Sequence, residues 1–234
     1  MKGQKGKPTS SQAHKDESAS AQVNQRASPM GFWRKLWWFL WEDNSIWSWI
    51  ANVLIAFVLI KFVIYPGLGF LLGTSHPIVA VVSSSMEHGG SFEQWWARNQ
   101  CCVDSQCSKR SANGELYIQF GVSADDFDGY PFTNGFNKGD IMILKSPEEL
   151  AIGDILVFWA DSRKEPIIHR IIDVRKNPDG DKFYRTKGDN NCASASFEQN
   201  IASDRMIGKA VVRVPLLGWI KLGFMELLKL VGVV

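Results

Sequence analysis

Hydrophobic positions follow two different patterns along the 234-residue chain. From Ser45 to about Tyr65 they are nearly continuous, whereas from Pro77 onward they form short runs rich in β-branched residues, separated by turn residues. A continuous run of this length predicts a helix, and short β-branched runs predict strands. The pattern therefore predicts a hydrophobic helical N-terminal part followed by a mainly β domain.

The stretch 45–65 contains a single charged residue, Lys61. About 20 apolar residues cross the core of a bilayer as a helix, and a lysine near the end can extend to the interface. We therefore predict a transmembrane helix at 45–65. A buried helix of a soluble protein is the alternative, but it gives no reason for the neighbouring tryptophans. The glycines of 66–74 predict that the helix does not continue there.

Aromatic and charged residues are interleaved in the preceding segment, 29–44, which contains GFWRKLWWFLWED. This composition predicts an amphipathic helix at the headgroup boundary of a membrane, in preference to a core helix of a soluble domain. Residues 1–28 are rich in Ser, Ala, Gln, Gly and Lys and have no apolar period, so they predict a disordered tail.

Charge is distributed unevenly, although the net charge is only +2. The first 35 residues carry seven lysines and arginines against two acids. Basic residues before a membrane span favour a cytoplasmic N-terminus, which puts the domain at 66–215 outside the cytoplasm. The basic tail has no interleaved aromatic residues and no binding motif, so we expect no nucleic-acid partner.

The β domain is predicted from successive short runs: IMILK, ILVFWA, PIIHRIIDV, KFYRTKGD and IGKAVVRVP. Gly-Asp turns precede the first two, and Asn177–Gly180, NPDG, predicts a hairpin between the third and fourth. A mainly antiparallel sheet is expected. The last segment, 216–234, is hydrophobic but places three charged residues on one arc, which favours a C-terminal membrane-associated amphipathic helix over a second span.

Candidate chemistry begins where the apolar run after Pro77 meets SSSMEH. A serine on the edge of a rigid strand can act as a nucleophile if a base reaches it. Taken alone, the three serines favour a polar turn. His169, within IIHRII, is the candidate base, because a histidine of ordinary pKa can take up the serine proton and return it to a leaving amine.

These motifs together resemble the type I signal peptidases, in their archaeal and endoplasmic-reticulum branch. SSSMEH is similar to that family's Ser-x-Ser-Met box and puts Ser85 in the nucleophile position. IIHRII puts His169 in the position of the base, and TKGDNN puts Asp189 in the Gly-Asp-Asn box. The resemblance implies a signal-peptidase-like β catalytic domain with a membrane anchor.

The resemblance also implies an activity and a location. The protein is expected to be a membrane-bound serine endopeptidase that cleaves signal peptides after small residues, in an Ala-x-Ala pattern. It is expected to need no cofactor and no metal, and to act at the cell membrane or an endoplasmic-reticulum-type membrane. The expected partners are signal-peptide-bearing preproteins, membrane lipid and the protein translocation machinery. Substrate is expected to add as a strand to a sheet edge beside Ser85.

By the same resemblance, Asp189 orients His169, and the Ser85 N–H with the Ser83 hydroxyl stabilises the oxyanion. Two positions depart from the family pattern. His88 stands where a proline is common, and no second acid follows Gly-Asp-Asn-Asn closely. The next acids are Glu198 and Asp204, of which Asp204 is the second choice for the orienting acid. We expect Lys187 to be solvated.

Compared with the minimal family pattern, residues 89–136 form an insertion. It contains three of the four cysteines, Cys101, Cys102 and Cys107, and the fourth is Cys192. A disulfide is favoured on the oxidising side of a membrane, and a zinc site is the weaker alternative because the metal-ligand spacing is absent.

Two other functions stay open. A non-catalytic membrane-anchored β module that binds export substrates or partner proteins is supported by the missing second acid. A self-cleaving repressor-type protease is disfavoured by the membrane span and by the absence of a DNA-binding element.

Overall fold

The computed structural model describes residues 31–102, 110–161 and 163–230, so the predicted tail at 1–28 lies outside the described part. The chain divides into two compact units between Ala56 and Phe57.

The first unit contains helix α1, Phe32–Trp41, and most of helix α2, Ile46–Leu59. The turn between them begins α2 with side-chain caps, because the Ser45 N–H donates to Asp43 Oδ1 at 3.0 Å and the Ser48 N–H donates to Ser45 Oγ at 3.2 Å. The side-chain amide of Asn52 also donates to the Leu40 carbonyl at 2.7 Å. These bonds fix the angle at which the chain leaves α1.

The long hydrophobic helix extends further than predicted. A π-helical turn, Ile60–Ile64, joins α2 directly to helix α3, Tyr65–Leu72. The prediction that the glycines of 66–74 end the helix was wrong, because Gly67 and Gly69 weaken α3 without ending it. Pro66 directly follows Tyr65 after the π-helical turn, where the regular hydrogen-bond pattern is already interrupted. Gly73 ends α3 in the left-handed conformation, with a φ of 65°. The resulting helix, Ile46–Leu72, is long and apolar enough to cross a membrane.

The second unit is built on one antiparallel sheet, which confirms the mainly β prediction. Its strands stand in the order β1-β4-β8-β5-β6-β7. Their bounds are β1 Ile78–Ala80, β4 Ile141–Lys145, β5 Ile155–Phe158, β6 Ile167–Lys176, β7 Lys182–Lys187 and β8 Met206–Val214. The predicted hairpin at Asn177–Gly180 is confirmed, since β6 pairs with β7 and the Gly180 N–H donates to the Asn177 carbonyl at 3.0 Å.

Strand β1 is shorter than the apolar run that predicted it. After Ala80 the chain bonds to the loop before β4: the Val81 N–H donates to the Asp140 carbonyl at 2.8 Å, and the Gly139 N–H donates to the Val81 carbonyl at 2.9 Å. The three serines therefore lie in an irregular segment beyond the strand, and the Glu87 N–H closes a turn on the Ser84 carbonyl at 3.1 Å.

Residues 89–136 form several short elements between β1 and β4. These are helix α4 Phe92–Trp96, strands β2 Asn99–Cys102 and β3 Arg110–Ala112, and helices α5 Glu115–Ile118 and α6 Ala124–Asp128. Strands β2 and β3 form a separate two-stranded sheet. Ser91 and Ser123 begin α4 and α6 with capping boxes, and this local order was not visible as a sequence period.

Two buried clusters hold the site region in place. The main core lies between the sheet strands and includes Met86, Met142, Leu144, Ile155 and Val157. The second, which we call the aromatic cluster, joins the insertion to β6 and consists of Phe92, Trp95, Tyr117, Val122, Phe127 and Ile172. Helix α7, Trp219–Leu230, follows β8 and contains much of the predicted C-terminal segment.

Candidate active site

Ser85 lies at the transition between solvent and the protein core. Ser84 is exposed, Ser85 is half-buried and the next residue, Met86, is fully buried in the main core. The buried methionine anchors the turn from below, so the serine hydroxyl is held at the surface of a rigid segment. Ser83 Oγ lies 3.1 Å from Ser85 Oγ.

His169 meets Ser85 although the two residues are far apart in the sequence. His169 Nε2 lies 2.9 Å from Ser85 Oγ, across 84 positions of the chain. The histidine is on β6, directly opposite Leu156 of β5, and is only 7% exposed. The predicted Ser–His pair is therefore brought within hydrogen-bond distance.

Glu198 occupies the other side of the histidine ring. The Nδ1–H of His169 donates to Glu198 Oε1. The same oxygen accepts the Thr186 hydroxyl at 3.1 Å, and Oε2 accepts the Ala195 N–H at 2.8 Å. A carboxylate acceptor at Nδ1 fixes the tautomer in which Nε2 is free to accept the serine proton.

The predicted orienting acids do not contact His169. Asp189 is fully buried and instead accepts hydrogen bonds from Arg170 Nη2 at 2.8 Å, from the Tyr117 hydroxyl at 2.7 Å and from His88 Nε2 at 2.8 Å. Successive side chains of a strand point to opposite faces, so an acid that pairs with Arg170 of β6 lies on the wrong side for His169. Asp204 is exposed and has no hydrogen bond to the histidine within the described residues.

The charge of Asp189 is strongly stabilised in the fold. Burial alone would raise the pKa of Asp189, but the charge of Arg170 and the hydrogen bonds from His88 and Arg170 outweigh it and hold that pKa well below its usual range. Arg170 also donates hydrogen bonds to the carbonyls of Pro131, Gly153 and Phe132. Asp189 is therefore an ionised structural centre next to the site.

Lys187 is buried, contrary to the prediction that it is solvated. It is 1% exposed, and its Nζ donates to the Gly188 carbonyl at 3.0 Å and lies 4.5 Å from the centre of the Tyr117 ring. Desolvation lowers the pKa of Lys187 to about 8, against the opposing charges of Asp189 and Glu198. Its amine is directed to backbone carbonyls and the aromatic ring.

A cleft of about 970 Å³ opens beside the Ser–His pair. Its walls combine small, apolar and charged side chains, among them Ala80, Val82, Arg163, Ile167, Ala193 and Phe197. Cys192, which is disulfide-bonded, also lines the cleft. Within the described residues no group of three or more His, Cys, Asp or Glu side chains is placed to hold a metal ion.

The arrangement can carry out acyl transfer. A hydroxyl, an imidazole and a carboxylate stand in a hydrogen-bonded row beside the cleft. This geometry is found on several unrelated folds, so it does not by itself identify a substrate.

Stretches of the chain match several known proteins. The chain is 37% identical over 59 residues to the signal peptidase complex catalytic subunit SEC11 of Eremothecium gossypii, which covers 25% of this chain and 35% of that protein. It is 41% identical over 58 residues to human SEC11C, 24% of this chain and 30% of that protein. The Dictyostelium discoideum sec11 subunit is 31% identical over 91 residues, 36% of this chain and 51% of that protein.

The chain is similar to signal peptidase catalytic subunits. This finding confirms the resemblance predicted from the sequence boxes. The matches span only 30 to 51% of the length of these signal peptidase relatives. No family model matches the chain.

Four residue roles in this region were not predicted from the sequence. Glu198 was not predicted as the acid that contacts His169, and Tyr117, Arg170 and His88 were not predicted as partners of Asp189. Glu198 stands in a short 3₁₀ turn, Ser196–Glu198, whose cap residue is Ala195, and an alanine gives no sequence signal of a capped turn. Arg170 follows His169 directly in the sequence, but this position did not indicate that Arg170 would pair with Asp189 of the Gly-Asp-Asn box.

Proposed function

We propose that this chain is a membrane-anchored serine endopeptidase that removes N-terminal signal peptides from exported proteins. The observation that supports the proposal most is the contact of Ser85 Oγ with His169 Nε2 at 2.9 Å, with Glu198 on the opposite ring nitrogen. The similarity to signal peptidase catalytic subunits supports the choice of substrate.

The proposed chemistry follows from the positions of the three side chains. Ser85 Oγ attacks the scissile carbonyl while His169 Nε2 takes up its proton, and Glu198 stabilises the imidazolium that forms. His169 then gives the proton to the leaving amine. The Ser85 N–H and the Ser83 hydroxyl are the proposed donors to the oxyanion, and Ser83 Oγ is 3.1 Å from the attacking atom. Water hydrolyses the acyl-enzyme in the same way.

The proposed substrate is an extended segment with small residues at positions −1 and −3 from the cut. Strand β1 is at the edge of the sheet, and its last residue, Ala80, lines the cleft together with Val82 beyond it. An extended peptide can add to this edge through main-chain hydrogen bonds, with side chains directed alternately into and away from the cleft.

The proposed location is a membrane, with the N-terminus in the cytoplasm and the β unit outside it. The apolar helix Ile46–Leu72 supports the anchor, and the basic residues before it support the orientation. The relatives are named as subunits of a signal peptidase complex, so partner subunits are proposed for this chain as well.

The alternative of a non-catalytic module loses its main support. It depended on the missing second acid after the Gly-Asp-Asn box, whereas Glu198 provides a carboxylate at His169.

Cleavage of a preprotein tests the proposal. The full-length chain, reconstituted in lipid vesicles, is incubated with a preprotein that has an Ala-x-Ala site, and the fragments are identified by mass. We expect one cut after the small residue and a loss of at least about a thousandfold in Ser85→Ala and His169→Ala. Matched controls are Ser84→Ala, an exposed neighbour, and His76→Ala, a histidine outside the site. Equal processing by all variants, or by none, would reject the serine peptidase.

A further inference from the structure

Residues 188–198 connect β7 to Glu198, and we call this segment the site loop. It contacts the candidate nucleophile directly: the Asn190 N–H donates to the Ser85 carbonyl at 2.8 Å, and the Asn190 side chain donates to the Ser84 carbonyl at 3.2 Å. Its other end provides the carboxylate at His169. The position of this loop therefore affects both Ser85 and the carboxylate of Glu198, which lie on opposite sides of His169.

The start of the loop is packed closely against the histidine. A Cβ added to Gly188 would lie 2.8 Å from His169 Nε2, which is nearer than real Cβ contacts come. The backbone of the loop thus lies within contact distance of the nitrogen that faces Ser85. A shift of the loop by a fraction of an ångström would change the geometry between these two side chains.

The insertion at 89–136 reaches the loop through Asp189. Tyr117 of α5 donates its hydroxyl to Asp189 Oδ1 at 2.7 Å, from a ring buried in the aromatic cluster. His88, immediately before the insertion, donates Nε2–H to Oδ2 at 2.8 Å while its ring stacks on Trp95 of α4, with centroids 3.8 Å apart. Both contacts are fully buried, where a hydrogen bond to an ionised group is strong and its loss costly.

Cys192 indicates a second attachment of the same loop. It is disulfide-bonded, and the other cysteines of the sequence, Cys101, Cys102 and Cys107, all belong to the insertion. The disulfide bond of Cys192 thus restrains the middle of the site loop. A covalent link and a buried hydrogen-bonded pair restrict the loop at two different residues.

We propose that the insertion is a positioning element of the active site, which holds the site loop through the Tyr117 and His88 contacts to Asp189. Tyr117 is a positioning residue that acts through Asp189 and Asn190 on Ser85. The catalytic consequence rests on the proposed peptidase function. The positioning of the loop does not, and it can be measured separately.

Tyr117→Phe tests the proposal, because it removes the hydroxyl and keeps the ring. Tyr130→Phe is the matched control, since Tyr130 packs against the same aromatic cluster and its hydroxyl makes no hydrogen bond to the described residues. Hydrogen exchange is followed in the peptide covering 188–198 of the full-length protein. We expect the Asn190 N–H to exchange at least about tenfold faster in Tyr117→Phe and at the wild-type rate in Tyr130→Phe.

Kinetics provide the second measurement. We expect Tyr117→Phe to lower kcat by about tenfold or more with little change in KM, because a misplaced catalytic group affects the chemical step. The loss should be non-additive with that of Glu198→Asp, since both act on one arrangement.

The two proposals fail in different ways. A wild-type chain that cuts no preprotein rejects the peptidase, while faster exchange in Tyr117→Phe alone still supports the positioning element. Unchanged exchange at 188–198 in Tyr117→Phe overturns the positioning element, whatever the activity.

Discussion

Glu198 Oε1 accepts hydrogen bonds from both His169 Nδ1 and the hydroxyl of Thr186. Thr186 is on β7 and His169 is on β6, so the carboxylate joins two neighbouring strands as well as orienting the imidazole. Both carboxylate oxygens have partners, which holds the acid in one rotamer.

Replacing Glu198 tests its role as the orienting acid. Glu198→Gln keeps the size of the side chain but removes the charge that stabilises the imidazolium, so we expect kcat to fall by about a hundredfold to ten-thousandfold. Glu198→Asp should retain more activity. Asp204→Asn is the control, since Asp204 is exposed, and it should cleave at the wild-type rate. Equal rates for Glu198→Gln and Asp204→Asn would contradict the assignment.

Ser83 gives a test of oxyanion stabilisation. Because its hydroxyl is adjacent to Ser85 Oγ, Ser83→Ala should lower kcat by about tenfold to a thousandfold while KM changes little. Ser83→Thr keeps a hydroxyl and should recover part of the rate. Ser84→Ala provides the comparison from the same turn. A wild-type kcat in Ser83→Ala would exclude Ser83 from the transition state.

Asp189 should affect stability more than any exposed acid. Asp189→Asn leaves Arg170 buried without its counter-charge, so we expect the free energy of unfolding to fall by about 3–5 kcal/mol at neutral pH. Urea unfolding in detergent, followed by tryptophan fluorescence, measures the change. Asp181→Asn, in the exposed β6–β7 turn, should change stability by less than about 1 kcal/mol.

The same comparison has a defined pH dependence. The folded pKa of Asp189 is depressed, so its stabilising contribution is complete above the unfolded value of about 3.9 and is lost as pH falls below it. Between about pH 5 and pH 2 the wild type should lose stability more steeply than Asp189→Asn. Parallel curves for the two proteins would show that folding does not lower the pKa of Asp189.

Lys187 gives a dependence of the same sign in the alkaline range. Its folded pKa of about 8 lies below its unfolded value, so between pH 8 and about 10.4 the unfolded state binds more protons and stability rises with pH. We expect the wild type to gain up to about 1.4 kcal/mol per pH unit relative to Lys187→Met. A wild-type curve that falls relative to Lys187→Met would mean that the buried amine stays protonated.

The disulfide of Cys192 should support activity. Reduction frees the middle of the site loop, so we expect kcat to fall by about tenfold to a hundredfold and to recover on reoxidation. Cys192→Ser should show the lower rate without further response to reductant. Full activity after complete reduction, verified by thiol titration, would contradict the expectation.

The sequence predicted the features that depend on neighbouring residues. The hairpin at Asn177–Gly180 and the strand around His169 follow from turn residues and β-branched runs, and both were found. The meeting of Ser85 with His169 was predicted from the order of the family boxes and not from local pattern. The helical continuation through residues 66–72 was missed, because glycines lower helix stability without necessarily ending the helix.

The partners of Asp189 could not be predicted from local sequence. Its hydrogen bonds come from His88, Tyr117 and Arg170, which are 101, 72 and 19 positions away. Glu198 was noted as one of the next acids in the sequence. Its contact with His169 of β6 depends on the 3₁₀ turn Ser196–Glu198, which was not predicted. These long-range contacts depend on how the insertion packs against the sheet. The insertion has no regular hydrophobic period from which that packing could be predicted.

Strand β1 is three residues long and stands at the border of the sheet. A border this short offers few unpaired backbone groups, so two copies of the protein gain little by joining their sheets there. The brevity of β1 thus limits self-association at this edge.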